Sequence, residues 1–279
     1  MTTLIFDTEL TDRKNGEIIE AAWLRLLPRA DLAGTADLID LTIFDEWHSF
    51  FQPASPISFG SMAVHHILPE QLVGHPPSST FELPSLTSYV VGHSIDTDWQ
   101  AAGSPAQVKR IDTHAIAQWL WPDATGYSQT ALIYMLEGAT AETRAMVKNA
   151  HSALADVHLN YGLLRHILKL KPEITTWSEL WTYSEACRIP RTCPLKRWDG
   201  VLLADMDDGA IRWCLDQHWL DPYFRTGLEN VMRERYPQGK TIRHEFDDGD
   251  DDYLDEPDDD DDRWDDDQRE GPQDMESQS

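Results

Sequence analysis

Leu4-Ile5-Phe6-Asp7-Thr8-Glu9 sets three apolar residues in an unbroken run directly ahead of two carboxylates. A β-favouring run of this kind reads as a buried strand, and on a strand residues i and i+2 share a face. Asp7 and Glu9 therefore converge, with Cα atoms roughly 6.5–7 Å apart, beside a hydrophobic core. Like charges in a partly desolvated place raise one another's pKa unless a cation balances them. A divalent metal ion satisfies this arrangement. A polar turn closing the strand is the competing reading, and the remainder of the chain has to separate the two.

Moving outward, Ile18–Leu27 reads as a second strand ended by Pro28, and Trp47–Phe51 as a third, so the chain opens as an antiparallel meander. The segment Ala30–Asp40 reads as a loop insertion between them. Short helices are expected over Ser61–Ile67 and Pro69–Val73, and a fourth strand over Ser88–His93. Asp96-Thr97-Asp98-Trp99 opens the next helix, residues 111–121 carry Ile, Ala and Trp at helical spacing, and Gln129–Glu137 is a further short helix. The longest helical pattern is His151–Leu170, with Leu154, Val157, Tyr161, Leu164 and Leu168 on one stripe. Asp156 lies among apolar neighbours there, and a carboxylate so placed requires a partner. Strands first, then strand and helix in alternation, predict an α/β fold, a mixed sheet with helices packed on it.

Lys171-Pro172 marks a boundary. Trp177–Cys187, Gly209–Trp219 and Tyr223–Tyr236 read as helices of a small second module around the loop Pro194–Gly200. The expected organisation is a first domain over residues 1–170, a small helical module over 171–244, and a tail over 245–279. The tail holds 19 acidic residues against Arg263 and Arg269, so it carries −17 of the chain's formal −26 and leaves −9 for residues 1–244. With almost no apolar residues it cannot offset its ordering entropy, and it is expected to be disordered.

Four carboxylates and a histidine, Asp7, Glu9, Asp98, Asp156 and His151, fall at strand ends and helix starts, where α/β architectures gather their sites. All-oxygen ligand sets suit Mg²⁺ or Mn²⁺. Three stretches carry a family resemblance: Asp7-Thr8-Glu9, then Gly92-His93-Ser94-Ile95-Asp96-Thr97-Asp98, then His151-Ser152-Ala153-Leu154-Ala155-Asp156. In order and separation they resemble the three motifs of the DEDDh 3′–5′ exonucleases, the last being a full match to H-x-A-x-x-D. Within that superfamily the chain is most similar to the exodeoxyribonuclease X type, with support from Pro56-Ile57-Ser58, Met62–Ile67, Ala117–Pro122, Tyr127-Ser128, Trp198-Asp199-Gly200 and Ala210–Trp213. The likeness covers roughly residues 1–235.

The resemblance implies an RNase H-like fold and hydrolysis of DNA from its 3′ end to nucleoside 5′-monophosphates. It implies two Mg²⁺ ions, for which Mn²⁺ can substitute, held by Asp7, Glu9, Asp98 and Asp156. His151, of the His-type branch, would take the proton of the attacking water, since a histidine titrates near neutrality. The second motif departs from the family in Ser94, where asparagine is common, and in Thr97, where an aromatic is common. Asp96 is an extra carboxylate, so either Asp96 or Asp98 can be the ligand, spacing favouring Asp98. The family's F-G-K-x-x-G loop appears as Leu195–Gly200.

Candidate substrate contacts are Thr8, Arg13, Lys14, His65, Lys196, Arg197 and Trp198. The last three combine charge with a stacking surface suited to a single strand. His65 and His66 read equally as packing or surface residues, and Asp112 as a helix cap. Expected partners are DNA 3′ ends, single-stranded or frayed, with RNA as the alternative. The acidic tail would meet a basic protein partner or the chain's own basic groove, or simply be solvated. Three cysteines without close CxxC spacing, no apolar run of membrane length and no secretory signal predict reduced thiols in a cytoplasmic protein without membrane association. The absence of GxGxxG after a strand argues against a dinucleotide-dependent oxidoreductase. A catalytically silent binding module of the same fold is the rival from another class.

Overall fold

Strand β1, Thr2–Leu10, is the central element of the molecule. Its odd and even residues separate cleanly: Ile5 enters one hydrophobic core and Leu4 and Phe6 the other, as a period of two dictates. β1 pairs antiparallel with β2, Ile18–Leu26, and parallel with β6, Thr87–Gly92. β2 carries the antiparallel edge strand β5, Ile43–Phe50, and β6 carries the parallel edge strand β7, Lys109–Asp112. The five-stranded order is β5-β2-β1-β6-β7, a mixed sheet flanked by helices in the expected RNase H-like arrangement. The protein is seen here as a computed structural model that describes residues 2–30, 34, 37–148 and 150–237. The tail expected to be disordered lies outside the described residues.

The larger core lies on the face shared by Ile5, Ala22, Leu24, Val91 and Ile111. It is covered by α3, Thr113–Leu120, α4, Gln129–Glu137, and α6, Ala153–Leu170, through Ile116, Leu132, Ile133, Val157, Leu163, Leu164 and Ile167. Helix α7, Trp177–Cys187, completes this cover with Trp177 and Leu180, so a helix from beyond residue 170 shares the sheet's own core. Asp7 and Glu9 stand on the same face of β1 as Ile5, toward α6.

The opposite face packs Leu4, Phe6, Trp23, Phe51, Val90 and Ile95, with Trp23 stacked on Trp47 at 3.8 Å between ring centroids. Helix α1, Phe59–His65, is capped at its start by the Ser58 hydroxyl, and α2, Asp96–Ala101, follows β6 after three residues. The C-terminal helices α8, Asp208–Leu215, and α9, Pro222–Arg235, enclose a separate small core of Cys193, Leu203, Ile211, Cys214, Phe224 and Leu228. Cys187, Cys193 and Cys214 are free thiols, all buried. Among the described residues no helix is long and apolar enough to cross a membrane.

Three local expectations are corrected. Residues 30–40 are not simply a loop: β3, Arg29–Ala30, pairs with β4, Asp37–Leu38. The helical pattern over 111–121 begins as a strand, β7, because Lys109–Asp112 pairs with β6 before the Asp112 carboxylate caps α3. A helix was not expected at α5, Ala141–Val147, which the Thr140 hydroxyl caps.

Candidate metal centre

β1 delivers Asp7 and Glu9 to the entrance of α6, where Asp156 sits in the first turn. One carboxylate oxygen from each of Asp7, Glu9 and Asp156 falls within 4.8 Å of the others. The fourth carboxylate, Asp98, is buried at 7 % exposure on α2. Its Oδ1 accepts two hydrogen bonds from Thr8, from the backbone N–H at 2.9 Å and from the hydroxyl at 2.6 Å. Thr8, a candidate substrate contact, thus braces Asp98 from between the two carboxylates of β1.

The electrostatics come from this crowding. Burial, then Asp98, Asp156, Glu9 and Glu20, push Asp7 well above the usual carboxylate range. Glu9 rises to about 8 through burial and the charges of Asp156, Glu20 and Asp98. Asp98 rises to about 7, burial outweighing the bonds from Thr8. Asp156 also rises to about 7, through burial, partly offset by the His151 N–H and reinforced by Glu20. Apart from burial, what raises all four is the charge of other carboxylates. Hard oxygen donors gathered with unrelieved negative charge fit a divalent cation of the Mg²⁺ or Mn²⁺ type.

His151 lies just ahead of α6, exposed, with a left-handed backbone at φ 67°. Its N–H donates to Asp156 Oδ2 at 3.1 Å, and the Asp156 N–H returns to the Ser152 carbonyl at 3.0 Å. Asp96 and Asp98 differ in their partners. Asp96 is committed to two arginines, Arg110 Nη1 at 2.7 Å and Arg188 Nη1 at 2.8 Å, whereas the charge of Asp98 bears on Asp7 and Glu9. Asp112 is a cap as expected: its Oδ1 accepts from the N–H of His114 at 2.9 Å and from that of Ser94 at 2.9 Å.

Two backbone features shape the turn after β6. Ser94 takes a left-handed φ of 60°, a conformation that asparagine tolerates better than most residues. Gly92 has no room for a side chain, since a Cβ there would sit 2.3 Å from Ile95 Cδ1.

The remaining candidates are dispersed. Arg13 lines a cavity of about 240 Å³ together with Leu10, Asn15, Thr97 and Gln100, a lining that includes none of the four carboxylates. The Lys14 N–H donates to Asp12. His65 is buried at the end of α1, its Nδ1 accepting from the Ile67 N–H, and burial holds its pKa below the usual histidine value. Lys196–Trp198 form a 3₁₀ turn against the C-terminal core, with Arg197 over Trp198 and Trp198 beside Trp213 at 5.6 Å. Glu20 was not anticipated. It is 2 % exposed in β2 opposite Glu9 and weighs on Asp7, Glu9 and Asp156. The signal was a lone carboxylate inside the apolar run Ile18–Leu27, which burial makes costly without partners.

No family model and no curated protein matches the chain. Among solved structures, its neighbours include exonuclease X in complex with 5′-overhanging duplex DNA, at 22% identity and a TM-score of 0.47, covering 64% of this chain and 99% of that one. The zinc-bound form of an E. coli exonuclease I–single-stranded DNA complex matches at 14% identity and a TM-score of 0.48. E. coli exonuclease I with a dA16 oligonucleotide matches at 15% and 0.45. The two exonuclease I matches each cover 65% of this chain and 42% of the other, so this chain spans under half the length of those proteins.

Proposed function

We propose that this protein is a divalent-metal-dependent 3′–5′ exonuclease that hydrolyses DNA from its 3′ end and releases nucleoside 5′-monophosphates. The observation that carries the reading is the convergence of Asp7, Glu9 and Asp156 within 4.8 Å, with Asp98 alongside. These residues come from three sequence motifs arranged as in the DEDDh exonucleases.

Asp7, Glu9, Asp98 and Asp156 hold the metal ions, two Mg²⁺ in this reading. When bound, such ions acidify a water and stabilise the leaving oxygen of an in-line phosphoryl displacement. The chain's residues do the rest. Thr8 keeps Asp98 in the cluster through its N–H and hydroxyl. Asp156, gripped by the His151 N–H, ties the cluster to the residue that takes the water's proton. His151 is exposed at the helix entrance, as a base that meets an incoming water must be.

The test uses 5′-labelled DNA and RNA of matched sequence, with free or phosphorothioate-blocked 3′ ends, in Mg²⁺, Mn²⁺ or EDTA. The expected result is metal-dependent shortening of free 3′ ends, faster on DNA, reduced at least ~10³-fold in Asp7→Asn and His151→Asn. Faster shortening of RNA would transfer the activity to exoribonucleases. A folded protein that shortens neither strand, but binds both, would make the chain the silent binding module.

A further inference from the structure

Glu20 lies inside the sheet on β2, 2 % exposed and opposite Glu9. A carboxylate there persists only with partners, and it has two from separate elements. Glu20 Oε1 meets His48 Nε2 of β5 at 2.7 Å and accepts from the Ser152 hydroxyl at 3.1 Å. Ser152 is the N-cap residue of α6, yet its side chain caps nothing in that helix. The hydroxyl that would ordinarily serve the first turn is turned to the sheet instead.

That bond bears on the geometry of the candidate catalytic loop. His151, immediately before Ser152, has a left-handed backbone at φ 67°, a conformation that costs a non-glycine residue about 1–2 kcal/mol and persists only where its surroundings impose it. The His151 N–H is held by Asp156, and the Asp156 N–H by the Ser152 carbonyl. Ser152 is thus the pivot between His151 and Asp156, and Glu20 is the partner through which its side chain is tied to the sheet. We infer that Glu20, buttressed by His48, is a positioning residue that acts through Ser152 to fix the His151–Asp156 loop at the site. The inference rests on the exonuclease reading for its kinetic consequence, and on the loop geometry alone for its structural one.

The chemistry of the device is a fixed acceptor in the most rigid layer of the fold. β2 is paired on both sides, to β1 and β5, so Glu20 cannot follow a movement of α6. His48 takes up the same oxygen from the edge strand, its ring set edge-on to Phe50 at 5.0 Å. Outer-shell partners of this kind commonly change activity 10–100-fold when removed, because a loosely held reacting group loses orientation rather than affinity.

The experiment compares Ser152→Ala, Ser152→Thr and Glu20→Met with the wild type in three readouts: steady-state kinetics on a 3′-ended oligonucleotide, Mn²⁺ affinity by calorimetry, and amide hydrogen exchange at 151–153 in EDTA. Ser152→Ala and Glu20→Met each lower kcat by ~10–100-fold, with KM and Mn²⁺ affinity changed by less than about threefold. The double variant is no worse than Glu20→Met alone, Ser152→Thr recovers most of the rate, and exchange at 151–153 speeds up at least ~10-fold in Ser152→Ala. A loss of Mn²⁺ affinity in Glu20→Met would overturn the inference by making Glu20 a ligand. Unchanged exchange and unchanged kcat in Ser152→Ala would overturn it outright. Because the exchange arm needs no turnover, a wild type without nuclease activity sinks the functional reading, while unaltered exchange sinks this one.

Discussion

Four crowded carboxylates make the stability of the metal-free protein fall as pH rises. Glu9 is lifted from 4.5 to about 8, and Asp98 and Asp156 from 3.8 to about 7. A tenfold change in proton affinity is worth ~1.4 kcal/mol, so ionising Glu9 in the folded state costs on the order of 5 kcal/mol more than in the unfolded chain. The same repulsion is shared by its neighbours, so their costs do not add, and solvent reaches the cluster's edge. A net loss of roughly 3 kcal/mol is the realistic expectation. These are raised values, so the stabilising contribution is complete below about pH 4 and disappears as pH climbs through 7 and 8. For a folded unit of this size 1 kcal/mol moves Tm by about 2–4 °C. About half of that loss falls between pH 6 and 8.5, so in EDTA the melting temperature should drop by roughly 3–6 °C across that window. Mg²⁺ or Mn²⁺ should reverse the drop, and reverse it more at pH 8.5 than at pH 6, because binding displaces fewer protons there. Asp7→Asn removes a charge that meets the other three, and should melt higher than wild type in EDTA at pH 8.5 while losing most of the metal response. A wild-type Tm in EDTA that is flat or rising across this window would refute the reasoning, as would an Asp7→Asn protein less stable than wild type at pH 8.5.

Other consequences are simpler to check. Thr8→Val deletes the 2.6 Å bond to Asp98 and should lower kcat by about 10-fold or more, a charge-assisted bond being worth ~1.5–3 kcal/mol, with little change in KM. Gly92→Ala forces a Cβ to within 2.3 Å of Ile95 Cδ1 and should destabilise by ~1–3 kcal/mol in urea titration; an unaltered midpoint would mean that Ile95 yields freely. Arg188, 5% exposed and shared by Asp96, Glu185 and Asp112, leaves the buried Asp112 without its cation when changed to Met. The expected cost is ~3–5 kcal/mol, read from the same titration.

Much of this architecture was visible in the chain because the physics is local. The alternation of Leu4, Ile5 and Phe6 sorted β1 between two cores and placed Asp7 and Glu9 together. The cap of α3 was equally legible in Asp112. What escaped depends on partners distant in sequence. β7 is four residues long, two of them Lys109 and Arg110, whose charged ends hide the strand pattern. Spacing already favoured Asp98, but the pairing of Asp96 with Arg110 and Arg188, the latter 92 residues away, was out of reach. Glu20 looked like a flaw in an apolar strand until His48 and Ser152 supplied its partners from 28 and 132 residues away. The bracing of Asp98 by Thr8 spans 90 residues and could not be read from the local pattern.

The most direct measurement is hydrolysis of a DNA oligonucleotide in ¹⁸O-labelled water with Mg²⁺, the products analysed by mass spectrometry at early times. The 3′-terminal nucleotide is expected first, as a 5′-monophosphate carrying one ¹⁸O on its phosphate, and EDTA or Asp7→Asn should abolish its release. Label retained on the shortened strand, release from the 5′ end, or undiminished release in EDTA would contradict the exonuclease mechanism.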